Sequence, residues 1–263
     1  MKRLELSALL VSMLVLGACR SATIAGGSLT VYAAASLTGA FGEIGKAFEI
    51  GNPGTKVEFN FAGSQALRMQ IEQGAKADVF ASADNNNNMA PLKTQGLIAG
   101  DAFVFARNRL VVIVPKENAA GIKDLRDLTK PGIKIDIADA SVPVGNYALQ
   151  VLDKLSTDST YGAKFKSDVL ARVVSKETDV KQVVSKVALG EADAGFVYTT
   201  DAQAALAKLK TIDIPDQFNV IAVYPMAILK SSANPSRAQK FIDYVLSADG
   251  QATLNKYSFA ALH

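Results

Sequence analysis

Residues 29–61 read LTVYAAASLTGAFGEIGKAFEIGNPGTKVEFNF, and the changes of period inside this stretch decide the fold. Leu29-Thr30-Val31-Tyr32-Ala33 is a short apolar run with β-branched content, the pattern of a buried strand. Leu37, Phe41, Ile44 and Phe48 then recur at i, i+4, i+7 and i+11, which places them on one face of a helix. Gly51-Asn52-Pro53-Gly54 stops that helix. Val57, Phe59 and Phe61 alternate with Glu58 and Asn60, the period of two that marks a second strand.

The remainder of the chain repeats this logic. Ala62-Gly63-Ser64 turns the second strand into a helix carrying Leu67 and Ile71. Asp78-Val79-Phe80-Ala81, residues 110–114, residues 133–137 and Gly195-Phe196-Val197-Tyr198 read as further strands. Tyr147, Val151, Leu152 and Leu155 form one helical stripe, and Val180, Val183, Val184 and Val187 another. Strands alternating with helices argue for an α/β fold with mixed, largely parallel sheets. Residues 220–223 and 227–229 return as strands, and an amphipathic helix around Phe241 and Val245 closes the chain, so the last segment completes the first lobe. The expected division is lobe I over residues 29–114 and 220–263 and lobe II over 115–219, with a ligand cleft between them. Asn85 to Asn88 is the one low-complexity patch and reads as solvated surface.

Bulk properties narrow the function. Lys and Arg number 28 against 25 Asp and Glu, a formal charge of +3 that is too small and too scattered for a nucleic-acid partner. Lys2 and Arg3 precede an apolar run over residues 6–16 that ends in Leu16-Gly17-Ala18-Cys19. That run is shorter than the ~20 residues a bilayer span needs, so residues 1–18 read as an export signal. Small residues before Cys19, the only cysteine, resemble a bacterial lipobox; Cys19 is then the lipid-attachment site and residues 19–28 a tether. The expected location is the extracytoplasmic face of the cell membrane or the periplasm.

Enzymatic readings meet a shortage of parts. His263 is the only histidine and Cys19 is assigned to the anchor, so neither a Ser-His-Asp nor a Cys-His site is expected. Phosphate-binding, dinucleotide, zinc and calcium motifs are missing from the sequence. Asp78, Asp84, Asp139 and Asp201 stand near strand ends, where caps and solvated charge are the ordinary use of aspartate. What recurs is a strand that ends in small or hydroxyl residues and opens a helix, at Ser36 and again at Ser64. Either serine could simply cap its own helix. Alternatively, hydroxyls, unpaired backbone N–H groups and the positive ends of helix dipoles converge there on an anion.

Ala33-Ala34-Ala35-Ser36-Leu37-Thr38 followed by Gly63-Ser64 resembles the start of periplasmic molybdate-binding proteins of ABC transporters. Residues 70–84, with Ile71-Glu72-Gln73-Gly74-Ala75 and Ser82-Ala83-Asp84, are similar to that family's "IExGAxADxFxSAD" segment. Val142-Pro143-Val144-Gly145-Asn146-Tyr147-Ala148 resembles its "VPAGxYA" loop, Asp179-Val180 its "DV" helix start, and residues 195–202 its "GxVYxSDA" segment. The resemblance implies a two-lobed type II binding-protein fold and a monomeric, non-enzymatic receptor without a cofactor, which delivers molybdate or tungstate to an ABC transporter permease. Carried over by motif, Ser36 and Ser64 bind the oxyanion from one lobe and Val144, Val180 and Tyr198 from the other. No residue becomes a direct metal ligand, because the Val142 to Tyr147 loop contains no acid. A fully ionised oxyanion only accepts hydrogen bonds, so neutral donors satisfy it, whereas a protonated phosphate needs an acceptor that this set lacks. Sulfate or thiosulfate is the alternative cargo, and a transferase on the same bilobal fold the alternative from another class.

Overall fold

The computed structural model describes residues 27–260, so the export signal, Cys19 and His263 lie outside the described residues. The chain first lays down β1 (Gly27–Ala34), α1 (Thr38–Gly51), β2 (Thr55–Ala62), α2 (Ser64–Glu72), β3 (Val79–Ala81), α3 (Ala90–Thr94) and β4 (Ile98–Asn108). It continues through β5 (Leu110–Pro115), β6 (Ile135–Ala138), α4 (Pro143–Ser156), α5 (Phe165–Leu170), β7 (Val173–Glu177), α6 (Val180–Ala188), β8 (Ala194–Tyr198), α7 (Thr199–Ala204) and β9 (Leu209–Asp213). Finally come β10 (Ala222–Leu229), α8 (Pro235–Leu246) and α9 (Ala248–Lys256).

Two five-stranded mixed sheets result, ordered β2-β1-β3-β10-β4 and β7-β6-β8-β5-β9. In each, four strands point one way and the fourth in order, β10 or β5, runs against its neighbours. Strand β1 pairs in parallel with both β2 and β3, the arrangement that helical crossovers produce. The expected stripe of α1 is buried at Phe41, Ile44 and Phe48, and Phe41 and Phe48 meet Phe241 of α8 edge to face at 5.9 and 5.4 Å. Each such buried side chain contributes ~1.5–3 kcal/mol, so the first sheet and the C-terminal helices form one core. In the second sheet, Val151, Leu152 and Leu155 of α4 and Val183 and Val187 of α6 are buried as their stripes require.

Several expectations are corrected. The tether cannot run to residue 28, because Gly27 and Ser28 already pair with Thr55 and Lys56 in the first sheet. Residues 110–114 belong to the second sheet, where β5 pairs with β8 and β9, so the first crossing between lobes falls at Arg109 rather than after Val114. An apolar run announces a buried strand without saying which neighbours it will have. The second crossing lies between β9 and β10. There the Asn219 side chain bonds both backbone groups of Leu110, accepting from its N–H at 3.1 Å and donating to its carbonyl at 2.9 Å, which ties the two crossings together. The two strands expected near residues 220–229 are the single strand β10, whose pairing with β4 shifts register at Tyr224/Pro225; proline has no N–H for the ladder. The asparagine run is only partly solvated. Residues 85–89 form a π-helical turn capped by Asp84, and Asn88 is buried, donating through Nδ2 to Asp84 at 2.7 Å.

Candidate functional site

Helices that follow co-directional strands start at the same edge of a sheet, where an α/β fold gathers its ligand-binding loops. On the first sheet, β1 runs into a short 3-10 turn, Ala35–Leu37, and β2 runs through Gly63 into α2. On the second, β6 leads to α4, β7 to α6 and β8 to α7. The two edges face each other. Ser36, Ser64, Val144, Val180 and Tyr198 all line one small cavity between them, of about 10 Å³. All five are buried.

Neither serine caps its own helix, which removes the ordinary explanation for both. Ser64 is the first residue of α2, and its Oγ accepts the Ala83 backbone N–H at 3.0 Å. Ser36 Oγ lies 3.0 Å from the Tyr224 hydroxyl of β10. Val144 follows Pro143 in the first turn of α4, where backbone N–H groups have no intrahelical acceptor. Gly145 lets this turn approach the preceding loop: a Cβ there would stand 2.1 Å from the Asp139 carbonyl oxygen and 2.4 Å from that of Ala138. Val180 opens α6, whose cap Asp179 accepts the N–H groups of Lys181 at 2.8 Å and Gln182 at 3.2 Å.

Tyr198 ends β8, and its hydroxyl is wholly buried yet makes no hydrogen bond among the described residues. Burial, followed by the neighbouring Tyr224 and Tyr147, pushes its pKa well above the ordinary phenol value, so it stays an O–H donor. Among the described residues no lysine, arginine or histidine lines the cavity. Its one carboxylate, Asp179, is occupied, since Oδ1 takes the helix N–H groups and Oδ2 accepts from Gln182 Nε2 at 2.8 Å. The cavity is therefore a set of neutral donors at helix starts, suited to an acceptor-only anion.

The other candidate carboxylates have other duties. Asp78 accepts from Thr30 N and Ser232 Oγ, Asp139 accepts from Ser141 N and Oγ, and Asp201 is buried and ion-paired with Lys181 Nζ at 2.6 Å. Sequence reasoning did not find Tyr224, Asn108 or the contact that joins the lobes beside the cavity. In that contact Gln65 Nε2 donates to the Thr178 carbonyl at 2.8 Å, and a Cβ on Gly63 would stand 2.4 Å from the same oxygen. Tyr224 sits in an apolar run and carries no local signal beyond that of a core strand residue.

Comparison with known proteins gives the same picture. Residues 29–260 match the family of bacterial extracellular solute-binding proteins. The molybdate-binding protein ModA of Mycobacterium tuberculosis is 38% identical over 233 residues, 89% of this chain and 84% of that protein. The periplasmic molybdate-binding protein of Azotobacter vinelandii superposes with a TM-score of 0.75 at 25% identity, over 89% of this chain and all of that one. The sulfate-binding protein SubI of Mycobacterium tuberculosis superposes with a TM-score of 0.81 over 89% of this chain and 87% of that one; at 17% identity it shows the fold alone. A two-lobed α/β chain with a donor-lined cavity between its sheets, matched from residue 29 to residue 260, thus belongs to the bacterial extracellular solute-binding proteins.

Proposed function

We propose that this protein is a non-enzymatic receptor that captures molybdate or tungstate between its lobes and delivers it to an ABC transporter permease. The observation that carries the reading is the buried Tyr198 hydroxyl, a donor with no acceptor among the described residues, in a cavity that those residues wall with Ser36, Ser64, Val144 and Val180 and with no cationic side chain. In this reading the Ser36, Ser64 and Tyr198 hydroxyls and the Val144 and Val180 backbone N–H groups donate to the oxyanion, and no side chain coordinates the metal. Relatives that carry the molybdate-binding name at 38% and 30% identity support the choice of cargo. Two further parts of the proposal concern residues before the described ones: residues 1–18 direct export, and Cys19 carries a lipid that holds the monomeric receptor at the extracytoplasmic membrane surface.

Calorimetric titration of the purified protein with molybdate, tungstate, sulfate and phosphate tests the reading. One-to-one binding of molybdate and tungstate in preference to the other two is expected. Preference for sulfate would replace the cargo while leaving the donor-only site in place, and silence with all four anions would overturn the proposal.

A further inference from the structure

Tyr224 lies outside the cavity wall but next to it. It is completely buried, with its ring edge to face against Phe105, Tyr198 and Phe259 at 6.2, 5.8 and 5.4 Å. Its hydroxyl touches Ser36 Oγ at 3.0 Å, and the Asn108 side chain lies near enough to the same hydroxyl to favour its ionised form, against the burial that pushes its pKa up. The orientation of the Asn108 amide is fixed from both ends. Oδ1 accepts the Arg109 N–H at 2.9 Å, and Nδ2 donates to Thr200 Oγ1 at 2.9 Å. The amide nitrogen can only donate, so its presence favours a Tyr224 oxygen that accepts and a phenol proton turned elsewhere. The nearby oxygen that can take it is Ser36 Oγ.

We infer that Tyr224 is a positioning residue for the oxyanion: held by Asn108, it donates to Ser36 Oγ and thereby turns the single Ser36 proton into the cavity. This rests on the reading of the cavity as an oxyanion site. A serine hydroxyl has one proton and two lone pairs, and left to itself it can either donate or accept. Filling one of those lone pairs with a protein donor leaves a single lone pair beside the proton and biases the hydroxyl towards donating. Ser64 is treated in the same way, since the Ala83 N–H that it accepts can only donate. Both hydroxyls of the first lobe are thus biased towards donating, one by a backbone amide and one by the Tyr224 hydroxyl.

The test is a double-mutant cycle on anion affinity, run with whichever of the four anions the wild type binds. Tyr224→Phe is expected to weaken binding about tenfold and Ser36→Ala at least as much. In the Ser36→Ala background, Tyr224→Phe should cost almost nothing further, because its effect passes through the missing hydroxyl. Tyr224→Phe should also narrow the preference over phosphate, more at pH 6 than at pH 8, since the uncommitted Ser36 oxygen can then accept from a protonated oxyanion. Asn108→Ala, read in the same cycle, gives a second route should Tyr224→Phe lose its fold by circular dichroism. A Tyr224→Phe penalty that persists undiminished without Ser36 would make Tyr224 a packing residue only and overturn the inference. Failure of the wild type to bind any of the anions would instead remove the underlying function.

Discussion

Tyr198 concentrates the problem this site solves. A phenol in water exchanges its hydrogen bonds at no cost, but at the end of β8 the hydroxyl is cut off from solvent and has no protein acceptor. Leaving a buried polar group unmade costs ~1–3 kcal/mol, and a bound anion recovers it with a charge-assisted bond. Tyr198→Phe is therefore expected to weaken molybdate binding by about ten- to a hundredfold, a loss of ~1.5–3 kcal/mol, with the protein at least as stable without ligand. Calorimetry beside thermal unfolding checks both halves, and an unchanged dissociation constant would take Tyr198 out of the site. Of the five proposed donors, Ser36 and Ser64 were legible from a strand end followed by a helix start, and Val144, Val180 and Tyr198 through the resemblance of their segments to the molybdate-binding family. Tyr224 was not, since its role depends on Ser36, 188 positions away in sequence.

At the level of elements, the strands that feed the site carry a buried charge of their own. Asp136 in β6 is fully buried and neither of its carboxylate oxygens makes a hydrogen bond among the described residues. Burial, reinforced by the Glu177 carboxylate and opposed by Lys186, pushes its pKa from 3.8 up to about 7. Lys186 Nζ is committed to Glu177 at 2.6 Å. Between pH 4 and pH 7 the folded state holds a proton that the unfolded state has released, so stability falls as pH rises through this window and levels off above it. Asp136→Asn, which mimics the protonated form, should leave stability unchanged near pH 4 and raise it by about 4 kcal/mol at pH 8. Urea unfolding at the two pH values measures this, and equal effects at both would show that Asp136 does not titrate in the window. Helices α1, α2, α4, α6 and α8 and the central strands were legible from their apolar periods. Strands β7 and β9, reading VVSKE and LKTID, were not, because edge position and backbone pairing hold them rather than a buried face.

For the molecule as a whole, the proposed binding joins the two lobes, and beside the cavity Gly63 lies close against Thr178. A methyl group on residue 63 would stand 2.4 Å from the Thr178 carbonyl oxygen, which belongs to the other lobe. Gly63→Ala should hold the lobes apart, lowering molybdate affinity at least tenfold while leaving ligand-free thermal stability within about 0.5 kcal/mol of wild type, since the added methyl meets Thr178 and Gln65 and not a core side chain. Ligand-induced compaction by small-angle scattering should shrink in parallel, and wild-type affinity with full compaction would show that the contact gives way. The proposed anchor acts at the same scale. Cys19→Ser should release the receptor from the membrane fraction without altering its anion affinity, and unchanged fractionation would argue for a plain export signal.

By itself the sequence determined the α/β class, the return of the last segment to the first lobe, the strand-to-helix turns at Ser36 and Ser64, and the family-like segments that hold Val144, Val180 and Tyr198. These are local properties: periods of two and 3.6, caps, and short motifs whose meaning is complete within a dozen residues. Only the tertiary structure decided that β5 pairs with β8 and β9, that the serines bond Ala83 and Tyr224 instead of capping their helices, and that Gly63 meets Thr178. A strand's hydrogen-bonding edges are alike whichever partner they find, and a hydroxyl's partner is whatever donor the fold brings within 3 Å. Which groups are brought together depends on the crossings at Arg109 and between β9 and β10, and so on the packing of the whole chain.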